Sequence, residues 1–266
     1  MKLAISGKGG VGKTTLAALL AQAYADTGRN VLAADADPSP CLAGALGFPA
    51  ELRARLHPIA EMDDLIEERT GAKPGTRGGF FTINPRVDDI PDRFAVVHRG
   101  VRLLEMGSVD LGGSGCICPE SAMLKTLFTH LLFRQDDVLI LDMYAGVEHL
   151  GRATVDFVDA MIVVVEPTRR SLGTAAQIKQ LANDIGLTRL WLVGNKVRND
   201  DEAAFLRAET PGLPVLGFLN ADLLVQEADR LGVAVYDYVP ALREAAQQMA
   251  RSLEAAIRAQ PTESAA

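Results

Sequence analysis

Gly7-Lys8-Gly9-Gly10-Val11-Gly12-Lys13-Thr14-Thr15 follows the apolar run Leu3-Ala4-Ile5 and opens a segment of helical character. Gly7, Gly12, Lys13 and Thr14 satisfy the spacing G-x-x-x-x-G-K-[ST] of a P-loop. Glycine lets consecutive backbone N–H groups curl around phosphate oxygens. The expectation is therefore a cradle made by Gly9, Gly10, Val11, Gly12, Lys13, Thr14 and Thr15, with Lys13 reaching the outer phosphates and the Thr14 hydroxyl ligating Mg²⁺. The positive end of the following helix adds to the attraction. A glycine-rich turn that binds nothing is the plain alternative, and the strand before and the helix after the loop argue against it.

Outward from the loop, apolar runs recur at Leu3 to Ile5, Val31 to Ala34, Val101 to Leu104, Val138 to Leu141, Met161 to Val165, Leu190 to Val193 and Val215 to Phe218. Most are continuous rather than alternating, as expected of strands buried on both faces of a parallel sheet. Helical segments are expected from Lys13 to about Thr27, and over Glu120 to Phe133, Ser171 to Asp184, Ala221 to Leu231 and Ala241 to Arg258. The pattern predicts an α/β fold with a doubly wound, mostly parallel sheet flanked by helices. Between about residues 49 and 98 the texture turns to glycine, proline and charge, which reads as an insertion, partly helical near Ala60 to Glu68. With 266 residues, 48% of them hydrophobic, the chain is expected to form one domain over 1–266, with a frayed tail from about Gln260.

A formal net charge of −7 disfavours a nucleic-acid backbone as main partner. No N-terminal stretch has the form of a signal peptide and no run approaches the roughly 20 apolar residues of a membrane span. Three cysteines, two of them at Cys116 and Cys118, do not make a secreted disulfide framework. The expectation is a cytoplasmic protein that binds neither membrane nor nucleic acid.

Carboxylates close two of the apolar runs. Asp35 and Asp37 follow Val31 to Ala34, and Asp142 follows Val138 to Leu141 in the form of a Walker B strand whose carboxylate holds Mg²⁺. Asp35 or Asp37 alone would read as a loop cap. Beside a P-loop, ligands gather at these strand ends, so Asp35 and Asp37 are expected near the phosphates and Thr14 and Asp142 become candidates around magnesium. Asn195 and Lys196 follow Leu190 to Val193 with Arg198 where a guanine-reading N-K-x-D has its aspartate, which favours ATP. Asn195 is expected to contact adenine and Lys196 to cover it, with the Leu219 to Asp222 loop as a further wall. A plain strand-end turn is the alternative.

Cys116 and Cys118 lie two apart, so in an extended segment both thiols point one way and suit one shared ion. Pro119 fits the first position of a helix, which would place Cys118 at a positive helix end and lower its thiol pKa. Two thiolates are half of a tetrahedral site for Zn²⁺ or a similar ion. Cys41, His57, His98, His130 and His149 show no ligand spacing, whereas a symmetric dimer supplies a second pair. Two small bystander residues in a loop remain the alternative reading.

KGGVGKTT resembles the deviant P-loop of the MinD/ParA/nitrogenase-iron-protein family of ATPases. Asp35-x-Asp37 is similar to that family's switch I, and Asp142-x-x-Ala145-Gly146 to the start of its switch II. The resemblance implies that Lys8 crosses a dimer interface to the partner's nucleotide, that Asp37 orients or activates the attacking water, and that Asp35 lies near Mg²⁺. Lys8, Lys13 and Asp37 are thus the catalytic candidates. With the C-x-C pair, DMYAGVEHLGR at Asp142 to Arg152 and the segment GAKPG…FFTINPRVDDIP, nearly the whole chain resembles the branch associated with nickel insertion into carbon monoxide dehydrogenase. That implies a homodimer dependent on nucleotide and metal, using ATP and Mg²⁺, bridging Ni²⁺ or Zn²⁺ between subunits, with the dehydrogenase as recipient. A redox ATPase carrying a [4Fe–4S] cluster across the dimer, and a positioning or partition ATPase, are the competing readings within the family.

Overall fold

The computed structural model describes residues 1–76, 80–107, 118–133, 138–143 and 158–259. The apolar runs become eight strands: β1 (Lys2–Gly7), β2 (Val31–Ala36), β3 (Val96–His98), β4 (Val101–Glu105), β5 (Val138–Met143), β6 (Ala160–Val165), β7 (Leu190–Val197) and β8 (Val215–Asn220). They form one sheet in the order β3-β4-β2-β5-β1-β6-β7-β8. Every pairing is parallel except that of β3 with β4. The helices are α1 (Lys13–Ala25), α2 (Leu42–Ala45), α3 (Ala50–Arg53), α4 (Asp63–Thr70), α5 (Ile90–Phe94), α6 (Pro119–Phe133), α7 (Arg169–Ile185), α8 (Asp200–Glu209), α9 (Leu224–Leu231), α10 (Val235–Tyr238) and α11 (Pro240–Ala259). This is the expected doubly wound fold. β1 lies between β5 and β6, so the strand order reverses at the point where the glycine loop leaves the sheet, which is where ligands of such sheets bind.

Both faces are covered, which is why the inner strands read as unbroken apolar runs. Leu3, Ile5, Val31, Ala33, Val138, Ile140 and Ile162 pack against Leu16, Leu19 and Leu20 of α1, with α11 alongside. Ala4, Leu32, Leu139, Leu141, Met161 and Val163 face Leu127, Phe128 and Leu131 of α6 and Ile178 of α7. Ile59, Leu65, Ile66, Val87 and Ile90, from the stretch expected to be an insertion, join this second core. The helix expected near Ala60 to Glu68 is a 3-10 turn at Ile59–Glu61 followed by α4. Arg69, at the end of α4, bonds both oxygens of Asp89 (2.9 and 2.7 Å) and so closes that stretch on itself.

Several elements differ from the sequence expectation. α1 stops at Ala25, with Gly28 in the left-handed region at φ 79°. β1, β2, β5 and β7 run past their apolar segments, to Gly7, Ala36, Met143 and Val197. Asp35, Asp142, Asn195 and Lys196 therefore lie inside strands rather than in the loops after them. β3 is an unexpected edge strand, joined to β4 by a two-residue turn in which Arg99 (φ 49°) and Gly100 (φ 80°) are both left-handed. α8 was unmarked by apolar periodicity and is set by a cap: the Asn199 side chain accepts from the Glu202 N–H (2.9 Å), and Glu202 accepts from the Arg198 N–H (2.8 Å). No helix among the described residues is long and apolar enough to cross a membrane. The expected tail from residue 260, most of the Asp142 to Arg152 segment and Cys116 lie outside the described residues.

Candidate active site

The nucleotide loop is fixed at both ends by glycine. At Gly7 a Cβ would stand 2.5 Å from the Val164 carbonyl oxygen, so β1 and β6 approach here only because no side chain intervenes. Gly12, at φ 96°, caps α1 in the left-handed region and lies against Asn195 Nδ2, with which a Cβ would collide. An anion cradle must keep its own carbonyl oxygens occupied, because they repel phosphate. Three of them are. Asn195 Nδ2 donates to the Val11 oxygen (2.7 Å), Lys196 Nζ to the Gly10 oxygen (2.6 Å) and Lys13 Nζ to the Lys8 oxygen (3.4 Å). Lys13 is buried, while Gly9 and Gly10 are exposed and Lys8, Gly12, Thr14 and Thr15 are intermediate.

Asn195 and Lys196 were expected to read the base. In the structure the Asn195 amide links the loop to β7, its Oδ1 accepting from the Lys196 N–H (2.8 Å). Lys196 holds the left-handed conformation (φ 57°), a strain of about 1 kcal/mol for a residue with a side chain. The Ala221 N–H donates to the Val197 oxygen (2.9 Å), so the end of β8 lies beside this pair, and Leu219 and Asn220 of the expected loop are strand residues.

Opposite the loop lies a row of acids. Glu105, Asp35 and Asp142 are in register across β4, β2 and β5, so their side chains leave the sheet on one face, the face covered by α1. Asp35 is fully buried and well satisfied: Oδ1 accepts from the Asp37 N–H (3.1 Å), and Oδ2 from the Cys41 and Leu42 N–H groups (2.9 Å each). Burial raises its pKa and these backbone donors pull it back. Asp35 thereby shapes the loop that carries Asp37, which accepts from the Ser39 N–H (2.9 Å). Asp142 is 1% exposed and neither carboxylate oxygen has a hydrogen-bond donor among the described residues. Burial, then the charge of Asp35, push its pKa up to about 7, and the nearby Thr14 hydroxyl and Lys13 ammonium oppose this. An orphaned, buried carboxylate beside a hydroxyl is a donor set that fits a hard cation such as Mg²⁺. Glu105 was missed by sequence reading. Burial, then Asp35 and Glu61, raise its pKa to about 6. The available signal was positional, since Glu105 closes its apolar run just as Asp35 and Asp142 close theirs.

Cys118 immediately precedes α6, which packs on the other face of the sheet. Its carbonyl accepts from the Ala122 N–H (3.0 Å) and Pro119 takes the first helical position, as expected. The expected lowering of its thiol pKa is reversed. Burial is the largest influence and raises it, Glu120 adds to that, and the thiol's hydrogen bond to Ser121 Oγ (3.0 Å) only partly compensates. Among the described residues, no three or more His, Cys, Asp or Glu side chains converge as a metal site.

Residues 2–235 match the family described as the CobQ/CobB/MinD/ParA nucleotide binding domain. The chain is 45% identical over 253 residues to the carbon monoxide dehydrogenase accessory protein CooC of Rhodospirillum rubrum, covering 95% of this chain and 96% of that one. It is 47% identical over 234 residues to an uncharacterized ATP-binding protein of Methanocaldococcus jannaschii, covering 87% and 90%. Among solved structures, the MinC:MinD cell division complex of Aquifex aeolicus superposes with a TM-score of 0.65 at 20% identity, covering 96% of each chain, which bears on the fold. The loop, the acid row behind it and these matches agree: the chain is an ATPase that belongs to the CobQ/CobB/MinD/ParA nucleotide-binding family.

Proposed function

We propose that this ATPase is an accessory factor in the maturation of carbon monoxide dehydrogenase. It works as a homodimer that carries Ni²⁺ or Zn²⁺ as cargo between two Cys116/Cys118 pairs. The observation that carries the reading is identity of 45% along 95% of the chain to the accessory protein CooC. Cys118 is the described member of the proposed pair: it sits before Pro119 at the start of α6, with its thiol half-buried and bonded to Ser121.

In this reading the backbone of Gly9, Gly10, Val11, Gly12, Lys13, Thr14 and Thr15 holds the phosphates. Lys13 turns from the Lys8 carbonyl to the outer phosphates, and Lys8 reaches the partner's nucleotide. Thr14 and Asp142 hold Mg²⁺, which would supply charge neutralisation between the phosphates. Asp35 acts from behind them by shaping the Asp37 loop, and Asp37 orients the attacking water. Asn195 keeps one N–H of its amide for adenine, since the other is on Val11, and Lys196 lies beside the base. Metal and ATP then favour the same closed dimer, so each raises affinity for the other.

The test is metal stoichiometry by elemental analysis, alongside oligomeric state, with ATP, with ADP and without nucleotide. The unmodified chain should bind about one Ni²⁺ or Zn²⁺ per dimer, and the C116A/C118A variant none, with ATP binding kept. Unchanged nickel stoichiometry in the double variant would sink the metal reading.

A further inference from the structure

We propose that Glu166 is a positioning residue for the nucleotide loop and that it acts through Lys196. This rests on the reading that Gly9 to Thr15 holds the nucleotide. β6 lies between β1 and β7, and Glu166 is the first residue beyond β6, so it stands between the glycine loop and the end of the strand that carries Lys196. Its Oε2 lies 3.3 Å from Lys196 Nζ, the same ammonium that donates to the Gly10 carbonyl at 2.6 Å.

Glu166 is itself well anchored. Its N–H donates to Ser171 Oγ (3.1 Å), its carbonyl accepts from the Thr168 N–H (2.6 Å), and Thr168 Oγ1 lies 3.5 Å from its Oε1. Thr168 in turn caps α7 by accepting from the Ser171 N–H (3.3 Å), and Ser171 is 1% exposed. The carboxylate thus projects from a rigid helix cap. Lys196 contrasts with it: the side chain is half exposed, and a four-carbon stem left alone samples many rotamers. Pairing with an anchored carboxylate keeps the ammonium on one carbonyl of the loop. Without Glu166, Gly10 loses a held donor and the cradle loses part of its preorganisation, while Lys13, Thr14 and Asp37 keep their places. The cost falls on binding ATP and not on the chemical step.

The experiment is steady-state ATP hydrolysis by the full chain in E166A, E166Q, K196A and E166A/K196A, with K13A as reference. For E166A, KM for ATP should rise about three- to fivefold with kcat within about twofold, the scale of a partly exposed ion pair. E166Q keeps an acceptor for Lys196 and should recover most of the loss. The double variant should have the KM of K196A alone, because Glu166 has no effect without its lysine. An unchanged KM in E166A, or a double variant whose loss is the product of the two single losses, overturns the proposal. K13A separates the two levels: if it binds and hydrolyses ATP normally, the loop reading fails and this proposal with it, whereas an impaired K13A beside an unaltered E166A rejects Glu166 alone. Should E166A fold poorly by thermal unfolding, E166K, which sets like charges together, takes its place with the same two outcomes.

Discussion

The two walls of the site, both at the carboxyl end of the sheet, are built in opposite ways. On the β1 and β7 side, the loop carbonyls of Lys8, Gly10 and Val11 each have a side-chain donor. On the β2 and β5 side, Asp35 is bonded by three backbone N–H groups, while its register neighbour Asp142 is equally buried and has no donor. One wall is complete within the chain. The other carries a buried carboxyl that has no hydrogen-bond donor among the described residues. The first wall is finished by folding, whereas the second keeps a buried carboxyl whose pKa is raised to about 7.

Removing a polar group should therefore have opposite signs on the two walls. The largest effect is expected for D142N, in which ATP hydrolysis should fall by roughly 100-fold, the scale of losing a charge-stabilising group. The same change should stabilise the nucleotide-free protein. A carboxyl raised from 3.8 to about 7 is fully stabilising below about pH 4, and that contribution is lost as pH rises through 7. The unmodified chain should thus lose on the order of a few kcal/mol between about pH 4 and 8, and D142N should not. Melting temperatures at pH 5 and pH 8, without nucleotide or divalent cation, decide this. A D142N variant that melts lower at pH 8 would break the contrast.

N195A tests the finished wall. It takes a donor from the Val11 oxygen and an acceptor from the Lys196 N–H at a position 7% exposed. Stability should fall by about 1–2 kcal/mol with little dependence on pH, measured by denaturant unfolding. The smallest effect belongs to Glu105, raised to about 6 by burial and by Asp35. E105Q should lift the melting temperature by no more than about 2 °C at pH 8 and leave it unchanged at pH 5, since its partial exposure lets solvent screen the charge. An equal rise at pH 5 would mean that packing, and not ionisation, sets the value at this end of the row.

Unbroken apolar runs made the sheet legible because β1, β2, β5 and β6 are buried on both faces and their pattern needs no partner to be read. Their ends were not legible. Asp35, Asp142 and Asn195 interrupt the apolar pattern although the strand hydrogen bonding continues through them. β3 was hidden because three residues of an edge strand carry too little pattern, although Arg99-Gly100 is a turn signal. α8 could have been found from Asn199, since a side-chain N-cap is local. The P-loop spacing gave the position of the candidate site. What holds the loop in shape, Asn195 on Val11 and Lys196 on Gly10, depends on contacts between distant strands and leaves no spacing to read. At Cys118 the helix start was local and correctly read, whereas the direction of its thiol's pKa depended on burial by the rest of the fold.

The strand order also sets when the site comes into being. β1 pairs with β5 and β6, and Val11 waits for a donor 184 residues further along the chain. During synthesis the glycine loop emerges well before the residue that secures it, because Asn195 must follow and β7 must dock before the Val11 carbonyl is taken. Contacts of such separation form late and slowly. A chain truncated before β7 would hold the whole nucleotide motif in its sequence and lack the strand that locks it.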